Sequence, residues 1–283
     1  MKIAYSPCPN DTFVFHALVH GLVPGAPSFD VTYADIDITN TLAAEPGGPE
    51  IMKISYAALP WVRPEYALLP CGGALGRGCG PLVLSKGSAD PASLSGKRVA
   101  VPSERSTAYL LFRLWAAQQV PGGVGEIVVM PFHEIMPAVR DGKIDAGLVI
   151  HEARFTYPSY GLDLLTDLGS WWESDTGLPI PLGAIIAHRT LDLAAIAGWI
   201  RSSVEYAWTH PAASQEYVLR HAQEMSAEVA EAHIALYVNE FTLNLGEDGY
   251  AAVEALLGRA AREGLVPAMD LRALRLDSPA GQG

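Results

Sequence analysis

The stretch Asp145–Gly161, DAGLVIHEARFTYPSYG, decides how the chain is read. Its opening, Ala146-Gly147-Leu148-Val149-Ile150, is apolar, too short for a stable helix and bounded by polar residues, so it predicts a buried strand. His151 stands where the run stops. Glu152 and Arg154 follow at once, then the aromatic residues Phe155, Tyr157 and Tyr160. In open α/β sheets ligands bind beyond the carboxyl ends of strands. A histidine at such an end can reach a ligand and exchange a proton near neutral pH. The alternative is an imidazole that only caps the turn or fills space.

Working outward, other short apolar runs alternate with helical patterns. Lys2–Tyr5, Val31–Tyr33, Ile51–Ile54, Arg98–Val101, Glu126–Met130 and Leu162–Thr166 predict strands, and Ile36–Ile38 can be read as another. Helices are expected after SPCPNDT with Asn10 or Asp11 as N-cap, from Thr39 or Asn40 to the breaker at Pro46–Pro49, from Ser106-Thr107 through Trp115, and over Glu134–Arg140. Trp171-Trp172 should start a helical turn. Alternation of this kind predicts parallel, doubly wound sheets. Pro81-Leu82-Val83-Leu84 is echoed by Pro181-Leu182-Gly183-Ala184-Ile185-Ile186, and the two read as strands linking two lobes. The expected division is residues 1–88 with 184–283 as a discontinuous first lobe and 89–183 as the second. After Arg189 the chain is helical. Leu193, Ile196, Ile200, Val204 and Trp208 form an apolar stripe, Pro211 and Ser226 start later helices, and Gly264 stops the last. The end, SPAGQG, should be loose.

Composition narrows the function. The chain has 283 residues, 49% hydrophobic and 18% charged, so a large core is expected and disorder is not. Its net charge of −12 argues against nucleic acid or an anionic membrane surface as partner. No stretch is long and apolar enough to span a bilayer, and MKIAYSPCPND lacks a signal-peptide pattern; the expected location is the cytoplasm. Cys8, Cys71 and Cys79 fit no metal or redox spacing and read as free thiols. His16 and His20 stand at i, i+4 without an evident third ligand, so they read as solvated helix residues rather than a zinc site. GGALGRGCG at Gly72–Gly80 is followed by a strand pattern, not the helix a dinucleotide loop must open. No GxSxG elbow is present.

Ser6–Asp11, Ser55-Tyr56, Ser103–Thr107 and His151-Glu152 each follow a predicted strand and precede a helix start. Singly they are ordinary caps. Together they form candidate carboxylate-binding turns, because helix N-termini offer free N–H groups and partial positive charge without Lys or Arg. An acidic chain that binds a small anionic molecule needs such groups.

SPCPNDT at Ser6–Thr12, KISYAAL at Lys53–Leu59, GGALGRGCGPLV at Gly72–Val83, STAY at Ser106–Tyr109, IHEARFTYPSYGL at Ile150–Leu162 and LGSWWESDTGLPIPLGAI at Leu168–Ile185 closely resemble one family. It is the 1,4-dihydroxy-6-naphthoate synthase family of the futalosine route to menaquinone. The resemblance implies an α/β fold like that of type II periplasmic-binding proteins, two lobes of sheet flanked by helices with a cleft between them. It implies conversion of cyclic dehypoxanthinyl futalosine to 1,4-dihydroxy-6-naphthoate, with carbon–carbon cleavage and no metal or organic cofactor. The family's general base falls on His151. Its substrate-binding segments fall on Lys53, Ile54 and Ser55 and on Thr107 and Ala108, with Tyr160 and Leu182 as walls. Two other functions share the implied fold: a chorismate dehydratase of the same pathway, and a non-catalytic solute-binding protein.

Overall fold

The computed structural model describes residues 1–151, 153–222 and 226–276. The chain opens with β1 (Lys2–Tyr5), α1 (Pro9–Val19), β2 (Asp30–Tyr33), α2 (Ile36–Leu42), β3 (Ile51–Ser55), β4 (Tyr66–Leu68) and β5 (Ala74–Gly76). Then come β6 (Leu82–Ser85), β7 (Val99–Val101), α3 (Thr107–Gln119), β8 (Ile127–Val129), α4 (Phe132–Arg140), β9 (Ala146–Val149), α5 (Ala153–Thr156), β10 (Asp163–Asp167) and α6 (Leu168–Thr176). The chain continues with β11 (Ile180–His188), α7 (Leu193–Thr209), α8 (Gln215–His221), α9 (Ala227–Tyr237), α10 (Glu240–Leu243) and α11 (Gly246–Arg262).

Two units result. Unit 1 comprises Met1–Gly76 and Pro181–Gly283, and unit 2 comprises Arg77–Ile180. The chain thus enters unit 2 at Arg77 rather than near residue 88. The reason is β6, which pairs with β9 and β10 in the second sheet. It is therefore an internal strand of unit 2, whereas β11 pairs with β3 and β4 in unit 1. Neither strand is shared between the sheets.

The sheet of unit 1 has the order β2-β1-β3-β11-β4, with β5 also on β11. β1 runs parallel to β2 and β3, and β11 runs antiparallel to β3 and β4. The sheet of unit 2 has the order β10-β6-β9-β7-β8. There β7 is parallel to β8 and β9, and β6 is antiparallel to β9 and β10. The sheets are mixed, not wholly parallel as the alternation of elements predicts. A strand covered on both faces is apolar throughout whichever way it runs, so its residues do not report its direction.

Each unit has its own core. In unit 1, Ile3, Tyr5, Phe13, Phe15, Leu18, Ile51, Ile185, Ile196, Ile200 and Val204 pack together. Each aliphatic side chain so buried contributes about 1.5–3 kcal/mol. The stripe on α7 is narrower than its spacing suggests: Ile196, Ile200 and Val204 are buried, Leu193 is half-buried and Trp208 is exposed. Helix α1 is buried from Pro9 to Leu18 because α7 also covers it. Ser203 on α7 donates to the Val14 carbonyl at 2.6 Å and accepts from the Leu18 amide at 3.1 Å.

In unit 2, Leu82, Leu84, Ala100, Ile135, Val139 and Val149 form the core between strands and α4. Gly147 lets α4 lie directly on β9; a Cβ there would sit 2.4 Å from Ile135 Cγ2.

Two local expectations are corrected. Ile36–Leu42 is a helix with Asp35 at its N-cap, so Ile36–Ile38 is not strand. Cys8, not Asn10 or Asp11, occupies the N-cap of α1, because Pro9 takes the first helical position with its missing N–H where no partner is needed. The tail SPAGQG and Glu152 lie outside the described residues.

Candidate active site

In unit 1 the loop Ser6–Cys8 and the end of β3 follow the carboxyl ends of parallel neighbours, β1 and β3. Lys53 lies on β3 with its neighbours Ile54 and Ser55, all three buried. Its ammonium pairs with the Asp11 carboxylate, and both side chains are almost sealed from solvent. Room for the lysine comes from Gly183 on β11, where a Cβ would meet Lys53 Cε at 2.8 Å. The same Asp11 oxygen accepts from Asn10 Nδ2 at 2.8 Å, and Asn10 Oδ1 lies 3.1 Å from His233 Nε2. A charge held in so dry a place is stable only with an opposite charge and further hydrogen bonds around it.

Ser55 is gripped twice. Its amide donates to Asn40 Oδ1 at 2.8 Å, and Asn40 Nδ2 donates to its hydroxyl at 3.1 Å. Asn40 sits on α2, so a short helix that begins three residues earlier than its sequence suggests orients the end of β3. Leu182, half-buried, precedes Gly183, which pairs with Ser55 across the β11–β3 ladder.

In unit 2 the same logic recurs on β7 and β9, which run parallel side by side. Beyond β7, Ser106 caps α3, accepting from the Tyr109 amide at 3.1 Å, and Thr107 and Ala108 are buried in its first turn. Beyond β9 comes His151, half-buried, with its ring edge-on to Phe132 at 5.6 Å between centroids and 85° between planes. Its φ is +54°, and among the described residues it is the one non-glycine position with positive φ. Left-handed backbone costs an L-residue about 1–2 kcal/mol and clusters at functional sites.

Tyr160 ends the 3-10 turn after α5, packs on the unit 2 core and carries the Arg140 guanidinium 5.9 Å from its ring centre. Arg154, one turn beyond His151, bonds Asp167 and the carbonyls of Gly78 and Gly80.

The structure thus puts Lys53, Ile54, Ser55 and Leu182 on neighbouring strands of one unit. It puts Thr107, Ala108 and His151 beyond neighbouring strands of the other. Sequence reasoning did not find Asp11, Asn40 or Phe132 as partners of these residues. The turn in SPCPNDT was legible from its prolines, but the pairing of Asp11 with a lysine far along the chain was not.

Two other expectations meet the structure here. His16 is not solvated: it is buried, its ring tilted against His20 at 4.5 Å and Tyr217 at 5.5 Å between centroids. Burial and the neighbouring His20 hold its pKa below the usual imidazole range. Cys71 and Cys79 are buried thiols whose pKa is pushed up to about 12 by desolvation. Among the described residues no group of three His, Cys, Asp or Glu could hold a metal ion. No described helix is long and apolar enough to cross a membrane.

The arrangement of strands in the two units is that of periplasmic-binding proteins. The periplasmic aliphatic sulphonate binding protein SsuA from Escherichia coli superposes with a TM-score of 0.71 at 13% identity, covering 100% of this chain and 94% of that one. A family model described as menaquinone biosynthesis matches residues 1–262. Curated relatives named 1,4-dihydroxy-6-naphthoate synthase are 69% identical in Streptomyces coelicolor, over 97% of both chains, and 47% identical in Thermus thermophilus, over 94% of this chain and 95% of that one. The chain belongs to this menaquinone-biosynthesis family and is an enzyme of it.

Proposed function

We propose that the chain acts as a 1,4-dihydroxy-6-naphthoate synthase, a carbon–carbon lyase that converts cyclic dehypoxanthinyl futalosine to 1,4-dihydroxy-6-naphthoate. His151 is its general base. The observation that carries this reading is an imidazole just beyond β9, half-buried, on the one left-handed non-glycine backbone among the described residues. The relatives of the same name at 69% and 47% identity support the substrate.

The chemistry is a retro-aldol-type fragmentation. Neutral His151 takes the proton of a substrate hydroxyl. The oxygen's electrons form a carbonyl, the adjacent carbon–carbon bond breaks, and its electrons pass into the conjugated ring system. The imidazolium then returns a proton. Aromatic ring formation drives the reaction, and the step as written calls for no metal or organic cofactor. A positioned base contributes about a hundred- to ten-thousand-fold. In unit 2, Thr107 and the Ala108 amide offer donors suited to the carboxylate or hydroxyls of a small anionic substrate, and Tyr160 an apolar wall; in unit 1, Ser55 offers a hydroxyl, Leu182 an apolar wall, and Lys53, paired with Asp11, braces the strand that carries Ser55.

The test incubates pure protein with cyclic dehypoxanthinyl futalosine or chorismate and follows products by mass spectrometry. Naphthoate from the first is expected. Enolpyruvyl benzoate from chorismate, or ligand returned unchanged, would replace the reading. His151→Ala should bind substrate and leave it unconverted; near-normal turnover removes the base assignment.

A further inference from the structure

His151 needs more than a strand end to hold its ring. Left-handed backbone at a residue with a Cβ persists only where the surroundings over-determine it. The turn is fixed on its upstream side by β9, whose Val149 pairs with Leu82 of β6. Downstream the chain enters α5, a helix too short to hold itself in place. The hydrogen bonds of that turn, Arg154 amide to His151 carbonyl at 3.4 Å and Ala153 amide to Ile150 carbonyl at 3.3 Å, are long.

Phe132 meets the ring edge-on, and a further restraint on the turn is the Arg154 side chain. One terminal nitrogen reaches Asp167 Oδ2 at 2.5 Å and the Gly78 carbonyl at 2.5 Å, and the other reaches the Gly80 carbonyl at 3.3 Å. The side chains of Arg154 and Asp167 are only 17% and 16% exposed, so solvent screens the pair little. What Arg154 grips is itself rigid. Asp167 Oδ1 caps α6 by accepting from the Gly169 amide at 2.9 Å and the Ser170 amide at 3.2 Å. The Leu168 amide donates to the Pro81 carbonyl at 2.9 Å. Gly80 and Gly169 touch through their backbones, since a Cβ on Gly80 would lie 2.0 Å from the Gly169 nitrogen. The segment Gly78–Leu82 therefore holds both sides of the turn: Leu82 pairs with Val149 before His151, and Gly78 and Gly80 accept from Arg154 after it.

We infer that Arg154 is a positioning residue for this reaction, a planar fork that keeps the His151 imidazole aimed at the substrate proton. The inference rests on His151 being the base. Arginine suits the task because its guanidinium offers several donors in one fixed plane, whereas lysine has a single ammonium on a flexible stem. Arg154→Lys keeps the charge and one contact with Asp167 but loses the fork.

The test compares wild type, Arg154→Lys, His151→Ala and the double variant in steady-state turnover of cyclic dehypoxanthinyl futalosine, with circular dichroism and melting curves beside them. Arg154→Lys is expected to keep a native spectrum and a KM within about twofold while kcat falls about 10- to 100-fold, the cost of a base displaced by roughly an ångström. The double variant should be no slower than His151→Ala alone. Wild-type kcat in Arg154→Lys, a loss confined to KM, or losses that multiply in the double variant would each overturn the positioning role while leaving His151 as base. Near-normal turnover in His151→Ala would instead sink the base assignment and the role of Arg154 with it. Arg154→Ala removes the fork and the charge together; a native spectrum with a kcat loss at least as large as that of Arg154→Lys supports the role, and wild-type kcat refutes it.

Discussion

Lys53 and Asp11 form a buried ion pair in which both side chains are nearly closed to solvent. Taking two charges out of water costs several kcal/mol each, and the pair is tolerable because Asn10 also hydrogen-bonds the carboxylate and Gly183 leaves space for the lysine stem. Its two members are therefore coupled. Asp11→Asn, which strands a buried ammonium, and Lys53→Met, which strands a buried carboxylate, should each cost about 3–5 kcal/mol of stability in urea unfolding. The double variant should cost clearly less than the sum. Additive losses would mean that the two side chains do not depend on each other.

Much of the fold was legible because its signals are local. The run Ala146–Ile150 became β9, the Ser106 cap opened α3, and Ser226 capped α9 with its hydroxyl accepting from the Val229 amide at 3.3 Å. Strand direction was not legible, since β6 and β11, antiparallel to their neighbours β9 and β3, are as apolar as β7 and β9, which run parallel to each other. For the same reason the passage into unit 2 was set too late: Leu82–Ser85 gives no sign of which sheet it joins. His151 could be picked from its place after a strand, but the grip of Arg154 on Gly78, Gly80 and Asp167 joins residues far apart in sequence and needs the tertiary structure. Asn40 was legible as part of a short helix, but its two hydrogen bonds to Ser55 on β3 join separate elements and were not.

Three cysteines stand in unequal environments. Cys71 and Cys79 are 2% and 1% exposed, and burial pushes both thiols up to about 12, so neither forms a reactive thiolate at neutral pH. Cys8 is half-buried at the start of α1. A disulfide reagent at pH 8 should therefore titrate one thiol in the native protein and all three after denaturation. Loss of the native reactivity in Cys8→Ser would complete the assignment, and rapid native labelling of Cys71 or Cys79 would contradict the burial.

His16 makes the stability of unit 1 sensitive to mild acid. Its ring is buried in α1 against His20 on the same helix and Tyr217 on α8. Desolvation and, after it, His20 hold its pKa below the ordinary value of 6.5, so the folded state prefers the neutral ring. In the window between the folded and unfolded values, the unfolded chain binds more protons than the folded one, and stability rises with pH there. The contribution is complete above about pH 6.5 and is lost as pH falls below it, because the unfolded imidazole titrates first. Melting temperature should thus drop between pH 7.5 and 5.5, and His16→Gln, which removes the titrating ring, should flatten part of that slope even if it lowers stability at neutral pH. An unchanged slope in His16→Gln would show that other groups carry the whole dependence.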